Sequence, residues 1–159
     1  MQESRPNQLS LMDTTTKKYS EIKGLPVGLI NSTAFTKDGK SLFFAQSTYD
    51  SSSDIYKLDL ATNKIERWTD SEQGEMQKSD MAQPQLIEWT SFDKMKISGF
   101  YYPASKKFTG KRPVMINIHG GPEGQSMASS LGSSNYYPNE MDVAFIYPNV
   151  LDSSGFGKS

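Results

Sequence analysis

Short apolar stretches separated by polar turns run through the first half of the chain. Residues 29–35 and 41–46 read as strands, divided by Lys37-Asp38-Gly39-Lys40, where Asp-Gly supplies the positive φ that a tight hairpin needs. Residues 54–60 alternate, with Ile55 and Lys57 set against Tyr56 and Leu58, and Ala61-Thr62-Asn63 turns the chain into a strand at 64–69. Residues 71–84 are polar, contain Gly74 and Pro84, and carry no clear strand; they read as a linker with room for one helical turn.

After residue 84 the pattern changes. Two strands are expected at 85–92 and 95–102 around Asp93-Lys94, followed by a polar connection over 103–112. Residues 113–118 and 143–147 are compact apolar runs, the kind expected in a sheet covered on both faces. Between them 135–141 can form a helix, which Pro138 keeps short or broken. A strand, a helical connection and a strand begin an α/β unit.

The first half also repeats itself. Leu9, Met12, Asp13, Thr16, Lys18, Tyr19 and Ile22 align without gaps on Ile55, Leu58, Asp59, Thr62, Lys64, Ile65 and Trp68, an offset of 46 residues. A unit of about 40–50 residues built from four strands is the size of a propeller blade. Two ordinary hairpins sharing a turn would give the same letters. Since propellers need roughly 4–8 blades, one blade and part of another imply that the rest precedes Met1.

Composition narrows the chemistry. Among 159 residues, 17 Lys and Arg stand against 18 Asp and Glu, a net charge of −1, so there is no basic field of the sort that binds nucleic acid. The cluster Lys106, Lys107, Lys111 and Arg112 lies in a loop. The chain has no cysteine and one histidine, His119, which argues against a disulfide scaffold or a zinc centre; no cofactor and no metal is expected. No apolar run is long enough to span a membrane, and residues 1–6 lack a signal-peptide core, so compartment stays open. Hydrophobic content of 35% and mean hydropathy of −0.60 supply a thin core and suggest surfaces that expect a partner chain.

The informative motif is Ile118-His119-Gly120-Gly121-Pro122, directly after the apolar strand at 113–118. Paired glycines let the backbone turn with positive φ and point N–H groups outward, as an oxyanion hole requires. Gly121 is the candidate donor and Gly120 the residue that permits the turn. A plain tight turn leaving a strand is the competing reading. His119 precedes any plausible nucleophile, whereas in hydrolases the base comes last; its expected role is to support the loop, or to sit as a satisfied core histidine.

No nucleophile elbow of the form G-x-S-x-G is present. Gly124-Gln125-Ser126-Met127-Ala128 lacks the final glycine and lies within the loop, so Ser126 is rejected as a nucleophile. Gly155-Phe156-Gly157-Lys158-Ser159 ends like a phosphate loop, but Asp152 stands where that motif needs glycine. Asn31-Ser32-Thr33 fits a glycosylation pattern that arises often by chance.

Three segments together resemble the prolyl oligopeptidase family (S9) of serine peptidases, in particular its acylaminoacyl-peptidase and dipeptidyl-peptidase-like members. They are Ser91 to Phe100, Lys111 to Gln125 with its His-Gly-Gly-Pro, and Tyr147-Pro148-Asn149-Val150 with Ser153 to Gly157. The resemblance implies a mixed fold: antiparallel β from the final β-propeller blade or blades over 1–70, a linker over 71–84, and the N-terminal part of an α/β-hydrolase sheet over 85–159, cut before the nucleophile elbow. It also implies hydrolysis of short peptides through an acyl-enzyme, with only the oxyanion role falling on this chain, at Gly121 beside Gly120. Leu151-Asp152 replaces the family's usual Arg-Gly, and Pro138 stands where a helix-compatible residue is usual. Two other readings stay open: a non-catalytic binding or scaffold protein that covers exposed strand edges with a partner chain, and an esterase or lipase fragment.

Overall fold

The computed structural model describes residues 9–120 and 124–150. Within these, the chain is mostly antiparallel β with little helix: β1 (Ser10–Met12), β2 (Tyr19–Glu21), β3 (Gly28–Phe35), β4 (Ser41–Thr48), β5 (Ser51–Asp59), β6 (Ile65–Arg67), β7 (Gln85–Thr90), β8 (Lys96–Tyr102), β9 (Val114–Ile116), α1 (Tyr136–Glu140) and β10 (Ala144–Asn149). They form a two-stranded ribbon β1-β2, a four-stranded antiparallel sheet β3-β4-β5-β6, and a second four-stranded sheet in the order β7-β8-β10-β9.

The repeat seen in the sequence is a repeat in structure. In the first ribbon Ser10 pairs with Glu21 and Met12 with Tyr19; in β5–β6 Tyr56 pairs with Arg67 and Leu58 with Ile65, each 46 residues further on. The turns match atom for atom. The Asp13 carboxylate accepts from the N–H groups of Thr15 and Thr16 at 2.9 and 2.7 Å, and Asp59 accepts from Ala61 and Thr62 at 3.1 and 2.8 Å. An aspartate that satisfies its own following amides builds such a turn locally. The Asp13 N–H then bonds to the Lys18 carbonyl and the Asp59 N–H to that of Lys64, both at 2.9 Å. Lys17 and Asn63 take the left-handed conformation at equivalent positions, with φ of 58° and 56°.

Alternation along the strands decides the first core. Leu42 pairs with Leu58 and Phe44 with Tyr56, so all four side chains share one face of the sheet. The ribbon β1–β2 lies against that face: Ile22 joins Leu42, Phe44, Tyr56 and Leu58 in the buried cluster, and Leu9 and Leu11 pack against it. Phe44 and Tyr56 stack with ring centroids 5.4 Å apart.

Beyond Phe44–Tyr56 the same face turns polar and converges on Asp54, which is fully buried. Its carboxylate accepts hydrogen bonds from the hydroxyls of Ser51, Thr69 and Ser71, from the Ser71 N–H and from the Arg67 guanidinium. Ser71 opens the polar segment 71–84, so this carboxylate anchors the start of that segment to the sheet. A 3-10 turn at Lys78–Asp80 follows. The Lys78 ammonium lies 3.4 Å from Asp50, and the Ala82 N–H donates to the Asn135 side chain at 3.1 Å.

One expectation fails in the second sheet. The run at 113–118 reads as a strand covered on both faces, yet β9 is three residues long, lies at the sheet edge, and leaves Val114, Ile116 and Ile118 exposed at 47%, 63% and 60%. Apolar composition reports what a strand is made to sit against; burial depends on whether those neighbours lie within the chain. The strand at 64–69 is shorter than expected, at Ile65–Arg67. The helix over 135–141 is short, a five-residue α1 preceded by a 3-10 turn at Gly132–Asn135, as Pro138 suggests.

The Asp54 cluster sets a pH dependence. Burial pushes this carboxyl up, but the bonds from Ser51, Thr69, Arg67 and Ser71 outweigh burial and hold it at about 2, against 3.8 for a free aspartate. Such a depression corresponds to about 2 kcal/mol of folding stability. Because the folded value is the lower one, that stabilisation is complete above pH 3.8 and is lost as the pH falls toward about 2. Urea melts across this window will show the loss in the wild type and not in Asp54→Asn. Asp54→Ala will lower stability at neutral pH by roughly 2 kcal/mol, since the Ser51 and Thr69 hydroxyls and the Ser71 N–H lose their acceptor, while Arg67 keeps Asp70.

Candidate functional site

The second sheet brings its chemistry to one end. β9 and β10 are parallel, with Val114 beside Ala144 and Ile116 beside Ile146, so both strands end on the same side. Ligands of sheets with parallel strands gather at those carboxyl ends. Pairing is continued past β9 by the Asn117 N–H, which donates to the Ile146 carbonyl at 2.9 Å. The next residues are Ile118, His119 and Gly120. The motif therefore leaves the third strand of this sheet, alongside the end of β10.

Of the three candidate residues, two can be placed. His119 is half-buried and Gly120 is exposed. Gly121, the candidate N–H donor, lies outside the described residues, as do Leu151-Asp152 and the stretch Gly155 to Ser159. The expectation of positive φ is not met at Gly120: its backbone is outside the left-handed region, and a Cβ there would meet nothing within 4 Å. Among the described residues, nothing lies against this position.

The need for glycine falls instead on Gly124, which the motif reading passed over. A Cβ at Gly124 would lie 2.6 Å from His119 Nδ1 and 2.8 Å from the Gly120 carbonyl oxygen. The loop thus doubles back on itself, with the chain at 124 passing directly over His119 and Gly120. Such contact fits a supporting role for His119, whose ring lies against Gly124.

A second residue fixes the returning arm. Asn149, at the end of β10 and buried, accepts from the Ser126 N–H at 2.7 Å and donates from Nδ2 to the Ser126 carbonyl at 3.2 Å. This two-bond clamp copies a strand pairing with a side chain and ties the loop after β9 to the end of β10. The Ser126 hydroxyl is buried and donates to the Pro148 carbonyl at 3.4 Å. Further along, the Tyr102 hydroxyl accepts from the Ser129 N–H and donates to its carbonyl, at 3.1 and 2.8 Å. Tyr102 itself packs edge-on to Tyr147 at 5.4 Å. The sequence signal for Asn149 was its place in the Tyr-Pro-Asn-Val segment; its partner could not be read, because Ser126 is 23 residues away.

In fold, this chain matches a segment of peptidases of the prolyl oligopeptidase family, the family its motifs resemble. A puromycin hydrolase superposes with a TM-score of 0.80 at 18% identity, over 95% of this chain and 23% of its own. A prolyl endopeptidase gives 0.77 at 18% identity, over 95% and 22%. The acylaminoacyl peptidase of Pyrococcus horikoshii gives 0.72 at 21% identity, over 94% and 22%. The chain spans about a quarter of the length of these structures. No family model and no curated protein matches its sequence.

The loop architecture makes two tests. Gly124→Ala will displace His119 and lower the melting temperature, at a cost of roughly 1–3 kcal/mol for the overpacked turn, while Gly120→Ala will be milder. His119 is the only histidine, so its ring signals in a proton NMR spectrum report the displacement alone. Asn149→Ala leaves the buried Ser126 N–H without its acceptor, a loss of about 1–3 kcal/mol, and amide exchange at Ser126 will accelerate.

Proposed function

We propose that this chain is a fragment of a serine-type peptidase of the prolyl oligopeptidase family. In this reading residues 1–70 are the end of a β-propeller, about one blade plus part of another. Residues 71–84 are the linker, and 85–159 are the N-terminal part of an α/β-hydrolase domain. The fragment retains the oxyanion loop at Gly121 and Gly120, steadied by His119, and is inactive alone. The full-length parent hydrolyses short peptides through an acyl-enzyme.

The observation that carries the reading is the position of the motif. In α/β-hydrolases the oxyanion hole takes one N–H from the loop after the third sheet strand and one from the residue after the nucleophile. Here His119-Gly120 leaves β9, the third strand of the second sheet in chain order. Topology supports a missing neighbour as well. The Pro113 carbonyl and Asn117 N–H bond to β10, so the alternate residues Val114 and Ile116 turn their backbone groups to the open edge. A further strand pairing parallel to that edge would end beside Gly120, where a nucleophile elbow is required. Attack by its serine on a peptide carbonyl would develop negative charge on the oxygen, and a preset N–H donor is worth about 10²–10³ in rate.

The same open edge favours a second reading, a binding or scaffold protein that adds a strand from a partner chain at β9. An esterase or lipase fragment is disfavoured by the repeated hairpin of the first half. Labelling with a serine-reactive fluorophosphonate separates the proposals. The purified chain is expected to take up no label, and stoichiometric uptake overturns the inactive-fragment reading. If a longer polypeptide read from the same frame also fails to label, the scaffold reading prevails.

A further inference from the structure

The unpaired side of β9 is complementary to itself. Among the described residues β9 pairs with β10 alone and forms one border of the second sheet. The Pro113 carbonyl and the Asn117 N–H bond to β10, at 3.1 and 2.9 Å. Alternation turns the backbone groups of Met115 the same way and those of Val114 and Ile116 outward. In an antiparallel pair, two opposed residues whose groups face each other exchange both hydrogen bonds. A two-fold axis at Met115 sets Val114 opposite Ile116 of a second copy, and Ile116 opposite Val114. Each outward donor of one copy then meets an outward acceptor of the other. Met115 faces its own counterpart, where neither strand has a free backbone group to satisfy.

Identical strands bring identical charges, and like charges set opposite each other are destabilising. Residues 113–118 read Pro-Val-Met-Ile-Asn-Ile and carry no charge. Arg112, just before them, is 3.4 Å from Asp142 of its own chain. The antiparallel arrangement places it beside Ile118 of the other copy, far from the second Arg112. The remaining borders of the two four-stranded sheets are blunted in ways that discourage pairing. Glu66 and Arg67 lie on β6 and Glu88 on β7, and β3 shifts register between Ile30 and Ser32. None of these devices occurs on β9, where Val114, Met115 and Ile116 are all exposed. Val114 and Ile116 lie on one face and Met115 on the other, so pairing brings apolar side chains together on both.

We infer that β9 pairs with β9 of a second copy of this chain, antiparallel and centred on Met115, so that two four-stranded sheets become one continuous sheet. The contact is isologous: one patch serves both copies, and the pairing closes at two. This names the occupant in the partner-chain reading of the β9 edge, and it rests on strand pairing and not on the peptidase reading. A longer polypeptide that lays its own strand on this edge leaves no room for a second copy. Uptake of a serine-reactive label does not depend on whether β9 is paired, so that test and the one below fail separately.

Sedimentation of the full chain over a dilution series is expected to give a mass near twice 17.8 kDa at the concentrated end. Single cysteines then read the register, since the chain has none of its own. Opposed residues of a non-hydrogen-bonded pair have Cα atoms about 4.5 Å apart, within reach of a disulfide. Met115→Cys is expected to oxidise to a linked dimer several-fold faster than Val114→Cys, whose counterpart is displaced along the strand. Met115→Lys and Met115→Glu, each set opposite itself, are expected to be monomers, and mixing the two restores the dimer. Circular dichroism checks that both keep their sheet signal; if either loses it, the cysteine pair decides alone. The inference is overturned by a monomer at every concentration or by equal linkage at 114 and 115. It is equally overturned if the folded charged variants dimerise singly, or stay monomeric when mixed.

Discussion

A β-sheet holds together in water only when something shields at least one of its faces, and in this chain the shield for the first sheet comes from a different repeat. Ile22, Leu9 and Leu11 of the ribbon β1–β2 close over Leu42, Phe44, Tyr56 and Leu58. Without that contact the sheet β3–β6 would have two open faces and no core. Much else follows from the same constraint. Among the described residues, the opposite face of that sheet has no such cover, and Trp68 is 59% exposed there. The second sheet, in which Tyr102, Ala144 and Phe145 are buried, likewise leaves β9 exposed at its edge.

Polar contacts then decide how the apolar layers are tied off. Asp54 ends the first core with a carboxylate surrounded by five donors, two of them from Ser71, at the point where the chain departs from the sheet. Asn149 does similar work in the second sheet, where one buried amide replaces the strand pairing that the loop after β9 does not make. Both are single side chains that satisfy several groups at once. That is why their loss is expected to be felt beyond their own positions.

The motif around His119 shows how sequence and geometry can assign the same loop and differ on its parts. His119 and Gly120 lie just past the carboxyl end of β9. Within the loop, the demand for a glycine is met at Gly124, because a Cβ there would lie under 3 Å from His119 and the Gly120 carbonyl. Gly120 contributes an open flank instead. A left-handed turn and a close crossing both select glycine, and the letters cannot tell one from the other.

Local chemistry was legible in the sequence. The turns at Asp13 and Asp59 are built by an aspartate bonding to its own following amides, so they could be read from the chain and recognised as one repeat. Strand positions followed from alternation, and Pro138 set the length of α1. What only the tertiary structure decided is which apolar surfaces are covered. The letters of 113–118 describe a strand suited to burial, but burial is a property of neighbours. Those neighbours are chosen by strand order, β7-β8-β10-β9, which joins residues far apart in the chain. The pairing of Asn149 with Ser126 and the crossing of Gly124 over His119 are decided at the same level, because each depends on where two distant or folded-back segments meet.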